Sequence, residues 1–204
     1  MTVMVETWRI TGQAEIDSYV GSRVELAVRL INALATPFQH GRAVTPPASG
    51  DDRLAAVRAV QQHLTVHPAA SLLTPADADR LAGIAAELRP VFAAGDGLAD
   101  AAAGLNDLLV RHHAVPNLHG SPANPLGLSF HRPDADPVDA WAADMGTALA
   151  MVIGVGQAAR LGACQAGKCA LVFFDTTRNA SRRFCGLSCQ NRAKASAYRA
   201  RRRG

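Results

Sequence analysis

Along residues 22–36, SRVELAVRLINALAT, the apolar positions Val24, Leu26, Leu30, Ile31 and Leu34 recur at close to helical spacing. The pattern predicts a buried helix. Residues 51–64, DDRLAAVRAVQQHL, repeat the period through Leu54, Val57, Val60 and Leu64 and predict a second one. Thr74-Pro75-Ala76-Asp77 supplies a hydroxyl to cap free amides, a proline at the first helical position and a carboxylate in the first turn. It predicts a helix running to about Arg89, with a kink at Pro90. ADAAAGLNDLLVRH (residues 99–112) predicts a further helix. Asp136-Pro137-Val138-Asp139 repeats the cap signal and opens what reads as the longest helix, with Val138, Trp141, Met145, Leu149 and Val152 on one face.

Strand signals are few. TVMVETWRI (residues 2–10) is rich in β-branched and aromatic side chains and predicts a short strand, as does LGLSFH (residues 126–131). The stretch from Pro37 to Asp52 reads as a loop, and three prolines within residues 116–125 break the pattern again. Residues 1–160 are therefore expected to form a mainly α N-terminal domain with minor short strands.

About half of the 204 residues are apolar (49%), yet no apolar run has the length needed to cross a bilayer. The first ten residues, MTVMVETWRI, lack the basic start, apolar core and cleavage site of an export signal. The expectation is a cytoplasmic protein with reduced thiols and no membrane partner. Charge divides the chain. Residues 1–159 hold 10 Lys+Arg against 16 Asp+Glu, whereas residues 160–204 hold 11 against 1. An acidic body with a strongly basic end suits a protein that meets a polyanion at one end only.

All four cysteines lie in that basic end, as Cys164-x4-Cys169 and Cys185-x3-Cys189 separated by fifteen residues. Two close pairs joined by a short excursion suit a tetrahedral ion, because each local turn supplies two thiolates. One structural zinc ion is the natural occupant. Four thiolates leave no open position for catalysis, the spacing does not follow the usual iron-sulfur runs, and a reducing compartment disfavours disulfides. Between the pairs, LVFFDTT, a turn at Arg178-Asn179 and a return through Arg182-Arg183-Phe184 read as a β-hairpin. A basic helix follows Cys189. Residues 161–204 thus read as a small zinc-bound module of β-hairpin plus helix, treble-clef-like.

The run Phe173-x-Asp175-x2-Arg178-Asn179-x-Ser181-Arg182-Arg183-Phe184-Cys185, followed by Cys189-Gln190-Asn191-Arg192-x-Lys194, resembles the CGNR-type zinc finger. Gln190 stands where that signature has glycine. The finger usually follows a helical domain called ABATE, in proteins described as stress-induced transcription regulators of bacteria. LAVRLINALATP (residues 26–37), LRPVFAAGDG (residues 88–97) and Leu105-Asn106 are similar to parts of that domain. The resemblance implies DNA binding and a body with a role in sensing or dimerisation.

On a helix through residues 190–203, Arg192, Arg199 and Arg203 share a stripe, and Lys194 and Arg201 share another about half a turn away. Cys189, Ala193, Ser196 and Ala200 lie between them, small enough for close packing against the finger. Arg178, Arg182 and Arg183 on the hairpin add a second cationic surface. Arginine pairs with phosphate and can read guanine edges, so these eight residues are the candidate contacts to duplex DNA. Arg182 or Arg183 could instead pair with Asp175. The rival is an RNA- or protein-binding module.

Other features point away from an enzyme. Gly154-Val155-Gly156-x-x-Ala159 imitates a dinucleotide fingerprint but follows a helical rather than a strand period. His40, His63, His67, His112, His113, His119 and His131 show no metal or nucleophile spacing. Asn32 and Asn106 read as hydrogen-bonded core or helix-contact residues and not as a ligand site. A small-molecule effector of the N-terminal domain and a homodimer are the remaining expectations.

Overall fold

The structure, a computed structural model, describes residues 13–62, 73–121 and 124–202. The expected strand over residues 2–10, together with Leu64, His63, His67 and Arg203, lies outside them. Among the described residues the protein is mainly helical with three small antiparallel strand pairs. Helix α1 (Gln13–Leu34) occupies the centre. It packs against α2 (Gly50–Gln61), α3 (Pro75–Leu88), α5 (Pro137–Gly154) and strand β6 (Val172–Phe174), while α4 (Leu98–Arg111) lies on α5. The periodic positions Val24, Leu26, Leu30, Ile31 and Leu34 are all buried. So are Val57 on α2, Leu81 on α3 and the predicted face of α5.

The caps work as their residue types require. Thr74 and Asp77 close a reciprocal capping box before α3, and Asp136 accepts from the amides of Val138 and Asp139 at the start of α5. Pro90 lies in a 3-10 turn, Arg89–Val91, directly after α3. Among the described residues the longest helix is α1, with 22 residues, rather than α5, with 18, because α1 extends upstream through residues with no clear cap or period.

Two strand pairs escaped the sequence reading. In the expected loop, β1 (Phe38–Gln39) pairs with β2 (Arg42–Ala43) across a turn at His40-Gly41, whose φ values of 50° and 92° suit a two-residue hairpin. Strand β3 (Asn117–Ser121) pairs with β4 (Asn124–Ser129), the latter close to the expected 126–131. Prolines masked this hairpin because they are tolerated on unpaired edges.

One buried ionic network ties loop to helices. Asp144 of α5, fully buried, lies 3.3 Å from Arg23 Nε of α1 and 3.0 Å from His131 Nδ1, and accepts from the Phe130 amide at 2.9 Å. The imitation fingerprint is a helix end: Gly154 closes α5 and Gly156 has φ 73°. Asn106 is exposed on α4, not interior.

The core does not stop at residue 160. Leu161 on β5 (Leu161–Ala163) and Val172 on β6 belong to the same cluster as the helices. Asn32 is the clasp. Its amide nitrogen donates to Val172 O and its oxygen accepts from Val172 N, both at 2.9 Å, so the side chain pairs with β6 as a neighbouring strand would. Arg89 reinforces it with bonds to Thr36 Oγ1 (3.1 Å) and Ala170 O (2.5 Å).

Candidate metal centre

The module is a hairpin and a helix, but the hairpin differs from the expected one. β6 pairs with β5, in register Leu161↔Phe174 and Ala163↔Val172, and not with residues 182–184. Cys164 and Cys169 therefore sit in the β5–β6 loop itself, closed by a bond from Cys164 N to Leu171 O (2.9 Å). Both strands are too short to show a period, which hid the pairing. The return segment is held by Asp175, whose buried carboxylate accepts from Thr177 Oγ1 (2.6 Å), Thr177 N (2.9 Å) and Arg182 N (2.7 Å). Arg182 thus meets Asp175 through its amide and not its guanidinium. Cys185 follows, and Cys189 lies in the first turn of α6 (Leu187–Arg201).

The four thiols converge. Cys169 Sγ lies 3.9 Å from Cys185 Sγ, and Cys164 is buried with Cys189 against Cys169 and Cys185. A fifth group joins them. His40, at the tip of the β1–β2 turn, places Nδ1 3.5 Å from Cys189 Sγ and 4.0 Å from Cys185 Sγ. The ligand atoms of His40, Cys169, Cys185 and Cys189 all lie within 4.8 Å of one another. Zinc-sulfur bonds of about 2.3 Å set tetrahedral sulfur-sulfur edges at roughly 3.8 Å, so the donors present fit one zinc ion.

Burial pushes the Cys185 and Cys189 thiols up, and neighbouring thiols add to this for Cys185. Burial would raise Cys169 too, but backbone N–H donors from Leu171 and His40 and bonds from Cys164 and Cys189 hold it below the usual thiol range. Thiols packed this closely ionise together only when a cation joins them, and a divalent ion supplies that charge.

Sequence reasoning missed His40. Its signal was the His-Gly dipeptide, which reads as a tight turn. What brings that turn here is packing: Gly41 N bonds Lys168 O (2.9 Å) and Ala170 N bonds Phe38 O (2.8 Å). Gly41 takes φ 92°, which would strain any side chain, and a Cβ there would also meet the Arg192 guanidinium at 2.7 Å.

A tetrahedral thiolate-rich centre between a short hairpin and a helix start defines the class of structural zinc fingers. Residues 160–202 match the family model of the CGNR zinc finger. The C-terminal module is therefore a zinc finger of that type, with one structural zinc as its cofactor. No curated protein matches the chain.

The eight candidate nucleic-acid residues divide. Arg192 folds inward, donating to Cys189 Sγ (3.6 Å) and to Gly167 O. Arg182 is also engaged, with Phe184 O (2.9 Å), Cys185 O and the Phe173 ring. Arg183 bonds Gln165 Oε1 (2.7 Å) at the surface. Arg178, Lys194, Arg199 and Arg201 are exposed. Ser196 and Ala200 are exposed as well, so the second half of α6 projects into solvent instead of packing on the finger.

A cleft of about 590 Å³ opens between α1 and β6, reaching from Asn32 and Phe173 to His40 and Cys185. No helix among the described residues is long and apolar enough to cross a membrane. His112 bonds Asp139 (2.8 Å), and His119 stacks edge-on against His131.

Proposed function

We propose that the protein is a zinc-dependent regulator of transcription that binds duplex DNA through α6. The observation that carries this reading is the exposure of α6 on every side from Lys194 onward, combined with Lys194, Arg199, Arg201 and Arg202 and no acid after Asp175. Lys194 and Arg201 lie on the outward face, opposite Arg192, which grips the metal centre. Zinc and Arg192 fix the base of the helix, so its free half is presented at a set angle, as a major groove requires. Arg178 adds a phosphate contact from the loop after β6.

The module is non-catalytic in this reading, because protein donors fill the tetrahedron. The body acts as the ABATE-like sensing or dimerisation unit, and the cleft beside α1 is its effector site. The test is selection of bound fragments from random duplex DNA at near-physiological salt, with Cys189→Ser alongside. A defined motif that is lost in the variant, together with lost zinc, is the expected result. Binding without sequence enrichment, or preference for RNA or an acidic protein, overturns the regulator reading.

A further inference from the structure

Five donors surround a centre that takes four. Cys169, Cys185 and Cys189 are common to any tetrahedron here, and the fourth position has two candidates from different parts of the chain: Cys164 from the β5–β6 loop and His40 from the β1–β2 turn. From these contacts we infer that His40 is an alternative fourth zinc ligand through Nδ1, competing with Cys164 for one coordination position. The inference rests on the zinc reading and not on DNA recognition.

Three observations support it. His40 Nδ1 stands 3.5 and 4.0 Å from two of the common thiols, close to the roughly 3.5 Å nitrogen-sulfur edge that bonds of about 2.0 and 2.3 Å produce in a tetrahedron. The ligand atoms of His40, Cys169, Cys185 and Cys189 also lie within 4.8 Å of one another, so the imidazole completes a set of four donors without Cys164. Finally, the turn that carries His40 is pinned by the bonds of Gly41 N to Lys168 O and of Ala170 N to Phe38 O, with Lys168 and Ala170 both on the β5–β6 loop that holds Cys164 and Cys169. A surface hairpin with no role at the metal needs none of these.

The consequence is a metal that can be held in two ways. With Cys164, the finger closes on its own four thiolates. With His40, three thiolates and one imidazole hold the ion, and the zinc then bolts the β1–β2 hairpin of the body to the base of α6. The exchange moves no thiolate of the common set.

The test uses the full-length chain and three variants, Cys164→Ala, His40→Ala and the double variant, each loaded with zinc or cobalt(II). Cys164→Ala is expected to retain about one zinc per chain, with X-ray absorption giving three sulfur and one nitrogen neighbours. His40→Ala is expected to give four sulfurs. Its cobalt d–d bands should lie at longer wavelength than those of Cys164→Ala, since imidazole is the stronger-field donor. The double variant should lose at least 100-fold in zinc affinity relative to either single one. Zinc loss from Cys164→Ala with unchanged helical circular dichroism overturns the inference. So does a Cys164→Ala cobalt spectrum identical to that of the double variant. A second measurement needs no loss of a thiolate: chelator should strip zinc at least tenfold faster from His40→Ala than from the parent chain, and equal rates overturn the exchange.

Discussion

Replacing Asn32 by alanine would test whether body and finger are one cooperative unit. The side chain makes two 2.9 Å bonds to the backbone of Val172, a residue only 2% exposed. Alanine removes both and leaves a buried N–H and a buried C=O without partners. Each orphaned group costs about 1–3 kcal/mol, and the neighbouring cleft gives water partial access to them, so the net loss should be about 2–4 kcal/mol. Hydrogen exchange at the Val172 amide reads this directly. Exchange should accelerate by roughly 30-fold or more, at 1.4 kcal/mol per tenfold. Asn32→Asp removes only the donor and sets a carboxylate against the Val172 carbonyl, so it should not recover the loss. If Asn32→Ala changes exchange less than threefold with zinc bound, metal rather than this clasp holds β6, and the argument fails.

Three further outcomes follow from the geometry. Burial alone would raise the Asp144 carboxyl, but His131, the Phe130 amide and Arg23 outweigh it and hold it below the ordinary value. The unfolded chain then binds more protons than the folded one, so this stabilisation is full above about pH 4 and is lost as pH falls through the lower folded value. Asp144→Asn should lower stability at neutral pH by about 3–5 kcal/mol and flatten the acid limb of urea midpoints against pH; an unchanged limb would refute the assignment. Gly162→Ala would place a Cβ 2.5 Å from the Phe173 ring, between the paired strands, and should cost about 1–3 kcal/mol by thermal unfolding. Lys194→Ala with Arg201→Ala should reduce the salt dependence of duplex binding by a log–log slope of about 2 while zinc content stays at one per chain; an unchanged slope would remove these residues from the interface.

Helices were legible because their signals are local. Val24 to Leu34, the Thr74 capping box and the Asp136 cap each declare an element within a few residues of themselves. The thiols of Cys169, Cys185 and Cys189, which the structure brings together with His40, were legible for the same reason. The hairpin partner of β6 was not, since three-residue strands carry no period and pairing is settled by what packs around them. Arg192 illustrates the limit for charge: its place on a cationic stripe was visible, but not the Gly167 carbonyl and Cys189 sulfur that turn it inward. His40 was hidden most deeply. A single histidine far upstream of the cysteines joins them only because α1 and β6 share a core.

That shared core gives the molecule its logic. Two residues of the helical body grip the finger by hydrogen bonds, Asn32 to Val172 and Arg89, itself braced by Thr36, to Ala170 O. A zinc module of this size buries too little apolar surface to hold its shape unaided, and zinc binding supplies about 10 kcal/mol or more. Here the helical body adds a second support, through Leu161 and Val172 in its core. Both supports act on the hairpin and the base of α6, and neither touches the free half from Lys194 onward. A change at the His40 turn therefore bears directly on the metal centre, whereas one at Asn32 bears on β6 through Val172.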